Sequence, residues 1–202
     1  MLMASAIALA GYGPEVSGAP PKKPSWIGSI EVSPEDDVDV VLRERRLPKI
    51  TAVEDAAIRA VEARYPNTPV VAQEAELEVT DGYLVFVTRI LVHEKRRLTE
   101  IEVLVDAANL KILQQSVFCR AKGSPGLTWK RSLGDAERIA LKRLKQRGIS
   151  AQVTEVELEV ITGVLVYEVD ASPIKKGDPL ELIVDANTGK VYRLDVRTKA
   201  DD

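Results

Sequence analysis

Between Glu74 and Val79 polar and apolar side chains alternate. Glu74, Glu76 and Glu78 stand against Ala75, Leu77 and Val79. The same alternation returns later, with Glu155, Glu157 and Glu159 against Val156, Leu158 and Val160. Period-two alternation predicts strands with one buried and one wet face. The two strands lie in longer matching runs, residues 75–86 and 156–167, offset by a constant 81 positions (157 − 76 = 81). That interval is too long for a solenoid unit and about right for a small domain. The chain therefore reads as two copies of one module.

Each copy opens with apolar residues at helical spacing, which predicts a helix with one face on a sheet. The first starts at Thr51-Ala52-Val53-Glu54, with the form of a capping box, and runs to about Tyr65, before Pro66-Asn67-Thr68-Pro69. The second starts at Ser132-Leu133-Gly134-Asp135 and stops at Gly148. The 81-residue alignment sets Ile58 opposite Ile139 and Ala63 opposite Leu144. Four strands follow each helix, near 70–79, 83–92, 98–105 and 110–117, then near 151–160, 164–171, 180–184 and 190–196. Short links such as Asp81-Gly82 and Thr162-Gly163 make them antiparallel hairpins. The expected fold class is α+β: two tandem modules, each one helix on a four-stranded antiparallel meander.

The second strand of each copy breaks the alternation. Leu84 and Phe86 are expected to face the helix, yet Tyr83, Val85 and Val87 are apolar as well, and Val164 and Val166 repeat this. A sheet apolar on both sides needs a second cover. The other module or a partner protein is the expected cover.

Before the first copy, residues 1–10 are apolar and include Ala8-Leu9-Ala10, a small-x-small form found at leader cleavage sites. No basic region precedes them, so they read as a leader remnant. Residues 11–25 have the Pro and Gly content of a linker. In residues 26–50 a short strand is expected over 26–32, followed by a helix from the Ser33-Pro34 start to about Arg46. The expected division is 1–25, 26–50, a first module at 51–118, a linker at 119–131 and a second module at 132–202.

Composition narrows the function. Hydrophobic residues make up 45% of the 202, enough for packed cores, but each module alone is small enough to need support from the rest. A net charge of −3 lacks the basic footprint of a nucleic-acid binder. No stretch approaches a transmembrane helix in length. Cys119 is the one cysteine, so no intrachain disulfide forms, and it is expected to pack as a small hydrophobe.

The second copy closes with Leu182-Ile183-Val184-Asp185-Ala186-Asn187-Thr188-Gly189-Lys190-Val191. Together with the Ser-x-x-Asp-Ala helix start and the Glu-Leu-Glu strand, this resembles the PepSY domain family over most of 51–118 and 132–196. Such domains occur in propeptides of thermolysin-like metalloproteases and in many exported bacterial proteins. The resemblance implies a cystatin-like fold, extracytoplasmic placement and a role in binding or restraining peptidases, with no catalysis and no site residues to carry over. Copy one departs from the pattern, with Asn109-Leu110 where copy two has Thr188-Gly189. The expectation is that Asn109 supplies the left-handed residue and shifts the turn by one.

Reactive groups are scarce. His93 is the one histidine and sits beside Glu94-Lys95-Arg96-Arg97, which reads as an exposed hairpin tip. A triad or a zinc site has too few partners. The run from Asp185 to Gly189 lacks the ligand order of a calcium loop and reads as an Asx-rich turn. Catalytic, metal and cofactor sites are accordingly expected to be none. The candidate partner surface is Tyr83, Val85, Val87, Val164 and Val166. Candidate electrostatic contacts are Glu76, Glu78, Glu157 and Glu159 on the acidic stripes and Lys95, Arg96 and Arg97 at a basic tip, with Lys175-Lys176 at another. The stripes otherwise read as solvated faces whose like charges discourage edge pairing. The expected function is a non-enzymatic exported module that binds a protein, a metallopeptidase being the favoured class. The alternative is an assembly module forming a homo-oligomer through the apolar sheet faces.

Overall fold

The computed structural model describes residues 26–36, 38–94, 97–122, 129–175 and 177–196. The expected leader and linker at 1–25 lie outside the described residues, as do Lys95, Arg96 and Lys176. Among the described residues the helices are α1 (Val38–Glu44), α2 (Ile50–Arg64) and α3 (Leu133–Gln146). The strands among them are β1 (Val70–Thr80), β2 (Tyr83–Glu94), β3 (Arg97–Asp106), β4 (Ile112–Lys122), β5 (Ala151–Ile161), β6 (Val164–Pro173), β7 (Leu180–Asp185) and β8 (Val191–Val196). Each module is a helix on a four-stranded antiparallel meander, as the hydrophobic pattern predicts. The β1–β2 and β5–β6 hairpins turn through Asp81-Gly82 and Thr162-Gly163, all four with positive φ. Two such central residues match the right-handed twist of the strands.

The two meanders do not stack as separate sheets. They join side by side in one sheet ordered β4-β3-β2-β1-β5-β6-β7-β8. The junction is short: Glu74 pairs with Glu157, Ala75 with Val156 and Glu76 with Glu155. An approximate twofold axis runs through the Ala75–Val156 pair, because those residues are each other's counterparts in the repeat. Joining β1 to β5 satisfies one otherwise open edge of each module. The acidic stripes therefore lie at the centre of the sheet and not along its edges, which are β4 and β8. Nor is the stripe face uniformly wet, since Glu74 is only 3% exposed.

Both helices lie on one face of this sheet over a single continuous core. Leu84, Phe86, Ile90, Val105, Tyr167, Val169 and Leu182 from the strands meet Val53, Ala57, Val61, Ala140 and Leu144 from the helices. Leu84 and Phe86 thus face the helix as expected. The helices repeat after 83 positions (137 − 54 = 83), two more than the strands, so Val61 is the counterpart of Leu144 and the pairing of Ile58 with Ile139 is displaced. The difference arises because module two has a shorter helix and a shorter link into its first strand.

Four local expectations change. Thr51 is not the N-cap of α2. The helix begins at Ile50 after Lys49, which makes no side-chain cap. The Ser132–Asp135 capping box of α3 does form. In the β3–β4 turn the left-handed residue is Leu110, φ 63°, and not Asn109. It occupies the place of Gly189, φ 74°, in the β7–β8 turn. The turns otherwise match bond for bond: Asp106 Oδ1 accepts from Ala108 and Asn109 N–H, and Asp185 Oδ1 from Asn187 and Thr188 N–H. An aspartate that binds its own following amides sets the turn, so no shift by one residue is needed. Lastly, residues 26–32 form no strand, only an isolated bridge from Glu31 to Tyr83. The following helix is shorter than expected, because Ser33 to Asp36 form a turn closed by Ser33 N–H donating to Asp36 Oδ2 at 2.8 Å.

Candidate interaction surface

The outer face of the sheet, opposite the helices, carries most of the residues singled out from the sequence. Over module one it has a cover. Trp26 packs on Val85, Val87 and Leu104, flanked by Tyr83 and Leu113. The Trp26 and Tyr83 rings lie 6.0 Å apart, and Trp26 Nε1 donates to Gln114 Oε1 at 3.0 Å. The segment then wraps the β1–β2 hairpin end, where Val32 N–H donates to Gly82 O and Leu84 N–H to Ile30 O. Gly28 is required there, since a Cβ would sit 2.7 Å from Tyr83 Cβ. Ser29 N–H donates to Asp106 Oδ2 at 2.7 Å, tying the segment to the β3–β4 turn. Val85 and Val87 are buried, and their cover is the N-terminal segment, not the other module. The sequence signal for it was Trp26 itself, a large apolar residue in an otherwise linker-like stretch.

Module two differs. Val166 is buried, whereas Val164 is 40% exposed beside Ile161 at the hairpin tip. The second oxygen of Asp185, whose counterpart in module one binds Ser29, instead accepts from Tyr192 O–H at 2.6 Å. That bond and the turn amides hold the Asp185 carboxyl down at about 2.

At the centre, Glu74, Glu76, Glu155 and Glu157 meet directly across the junction, with Glu78 and Glu159 at its flanks. Arg89 of β2 binds Glu74 at 2.8 Å, lies 3.8 Å from Glu100 and packs over the Phe118 ring. Burial, opposed by Arg89 and reinforced by Glu157, Glu76 and Glu100, pushes the Glu74 carboxyl up to about 7. Burial, then Glu78, raises Glu76, and burial, then Glu159, raises Glu157. Arg97 is exposed at the β2–β3 tip, and Lys175 is exposed after β6.

On the helix side two equivalent clefts flank the axis. One, of roughly 500 Å³, is lined by Glu54, Ile58, Val70, Ala72, His93 and Trp129 among others. Its twin, of roughly 510 Å³, is lined by Leu47, Pro48, Glu137, Leu141, Gln152 and Ile174 among others. His93 therefore does not project from an exposed tip. It is half-buried at the end of β2, and its Nε2 has no hydrogen-bond partner among the described residues. In the twin, Gln152 clamps the segment entering α2: its Oε1 accepts from Leu47 N–H, and its Nε2 donates to Leu42 O and Arg45 O.

The buried acid in each cleft has a structural task that sequence spacing did not reveal. Glu54 of α2 accepts from Leu133 and Gly134 N–H at the start of α3, at 3.3 and 3.0 Å. Glu137 of α3 accepts from Ile50 and Thr51 N–H at the start of α2, at 3.0 and 3.2 Å, and from Thr51 Oγ1. Each helix thereby caps the other, which explains why α2 needs no cap of its own. Burial raises the Glu54 carboxyl, against the pull of the two amides. The helices touch where Gly134 meets Thr51, leaving no room for a Cβ.

Among the described residues no group of three or more His, Cys, Asp or Glu side chains is placed to hold a metal ion. Nor is any helix among them long and apolar enough to cross a membrane. Comparison with curated proteins finds no match. A crystal structure of a lipoprotein from Clostridium difficile 630 aligns over 77% of this chain and 98% of its own, at 18% identity and a TM-score of 0.44. The family model for the PepSY domain, the peptidase propeptide and YPEB domain, matches residues 54–115 and again residues 132–193. The two matched segments coincide with the two helix-backed meanders, and the chain is a tandem member of the PepSY family.

Proposed function

We propose that the chain is a non-catalytic protein-binding module that engages a peptidase in an exported compartment. The observation that carries this reading is the engagement of the cleft carboxylates. Glu54 and Glu137 are the buried acids of the two clefts, and each is bound by backbone N–H groups of the opposite helix. A carboxylate committed to capping is a poor general base or nucleophile. The family supports a regulatory or binding role, because its description joins peptidase propeptides to this domain.

The surface offered to a partner is the module-two hairpin tip with Val164 and Ile161, which lacks the Trp26 cover of module one. Self-association through Tyr83, Val85 and Val87 loses its basis, because Trp26 occupies that face. The test is titration of a purified thermolysin-like metallopeptidase, and of proteases from an envelope extract, with the intact protein. The expected result is a stoichiometric complex or slowed proteolysis, weakened at least tenfold by Val164→Asp. Absence of any complex and unchanged proteolysis across the panel would refute peptidase engagement. Binding unaffected by Val164→Asp would move the contact elsewhere.

A further inference from the structure

We propose that the β1–β5 junction is an acid-strengthened joint: carboxyls facing one another across it share protons in mildly acidic conditions, and their full ionisation loosens the pairing of the two modules. The argument begins with geometry. Among the described residues three pairs join the modules through the sheet, and two of them set glutamate directly against glutamate: Glu74 with Glu157 and Glu76 with Glu155. Like charges directly opposite on one sheet face are destabilising. A protonated carboxyl reverses the sign, since it donates to the carboxylate opposite.

Charged groups face this cluster from the strands on both sides. From β1 come Glu76 and Glu78, and from β5 Glu155, Glu157 and Glu159. Arg89 projects from β2, and from β3 come Glu100 and Glu102, the latter directly opposite Arg89. On the far side Glu168 and Asp170 of β6 stand opposite Glu157 and Glu155. Arg193 of β8 acts on Glu168. Glu100, Glu155, Glu168 and Asp170 each make further interactions. Arg89 acts on Glu74, Glu76 and Glu157 alike, yet each of the three carboxyls still stands above its ordinary value.

The direction of the effect follows from linkage. Glu74 holds its proton more tightly in the folded joint than its ordinary 4.5, up to about 7. Its contribution is complete below about pH 4.5 and is lost as pH rises through about 7. If the opened joint restores the ordinary value, this residue alone enlarges the opening constant roughly 30-fold between pH 5.5 and 8.5.

The experiment is hydrogen exchange of the intact protein at pH 5.5 and 8.5, corrected for intrinsic rates, read at residues 74–76 and 155–157. Protection is expected to fall at least about tenfold at the higher pH. In the double variant Glu74→Gln/Glu157→Gln, whose amides mimic neutral carboxyls, the step is expected to vanish. Equal protection at both pH values overturns the proposal. So does a step that persists in the double variant, which would assign it to a group outside this pair. A carboxyl carbon NMR titration of the unaltered protein decides the matter even if the variant does not fold. A Glu74 midpoint near 7 supports the joint, and one below about 5.5 overturns it.

Discussion

Replacing Glu137 by alanine tests the reciprocal capping of the two helices. Its carboxylate receives Ile50 N–H, Thr51 N–H and the Thr51 hydroxyl. Lys49, the formal N-cap of α2, supplies no side-chain bond in its place. Loss of an N-cap costs about 1–2 kcal/mol. Ile50 is fully buried, so its amide would be orphaned away from water, at about 1–3 kcal/mol. Relief from holding a buried charge offsets part of this, leaving an expected loss of about 2–4 kcal/mol. Glu137→Gln keeps one accepting oxygen and should lose about half as much. Glu62→Ala, at an exposed position on α2, is the control and should stay within about 0.5 kcal/mol. Urea denaturation at neutral pH, with m-values compared, measures all three. A Glu137→Ala loss no larger than that of Glu62→Ala would refute cross-capping as a stabilising device. Glu54→Ala should act in the same direction but less strongly, because burial already disfavours its charged form.

Three further outcomes are expected. Gly134→Ala would place a Cβ 2.3 Å from Thr51 Oγ1 and 3.0 Å from its Cα, so the helices must separate; denaturation should show a loss of about 1–3 kcal/mol, and adding Thr51→Ser should not rescue it fully. Trp26→Ala uncovers Val85, Val87 and Leu104 and should cost about 3–5 kcal/mol, with stronger concentration-dependent association in sedimentation than the unaltered protein shows. Asp185 ionises more readily in the fold than its ordinary 3.8, at about 2, so its contribution is present above pH 3.8 and lost as pH falls through about 2. Tyr192→Phe removes the first cause of that depression, and NMR titration should find the Asp185 midpoint moved upward.

Much of the module was legible in the chain. Alternation at Glu74–Val79 and Glu155–Val160 marked the first strands, and Asp81-Gly82 and Thr162-Gly163 marked the hairpins, because side-chain period and turn chemistry are local properties. The acidic stripes were visible too, but not their meeting. Their partner is an identical stripe some eighty residues away, and strand pairing at that distance leaves no local trace. The capping box that spacing predicts at Thr51–Glu54 does not form, for the same reason. Spacing suggested that Glu54 reaches back along its own helix, whereas the approach of two helix N-termini offers it better donors across the axis. Leu110 shows tertiary and turn forces overriding preference, since the Asp106 turn holds a non-glycine residue in the left-handed region.

The duplicated helix-and-meander unit, its family and its shortage of reactive groups follow from periodicity and residue type alone. The shared sheet, the Trp26 cover over module one and the carboxylates set face to face at the joint came only with the folded arrangement. Those outcomes depend on which edges and faces meet, and an edge is chosen by the free energy of the whole assembly, not by any short stretch of chain.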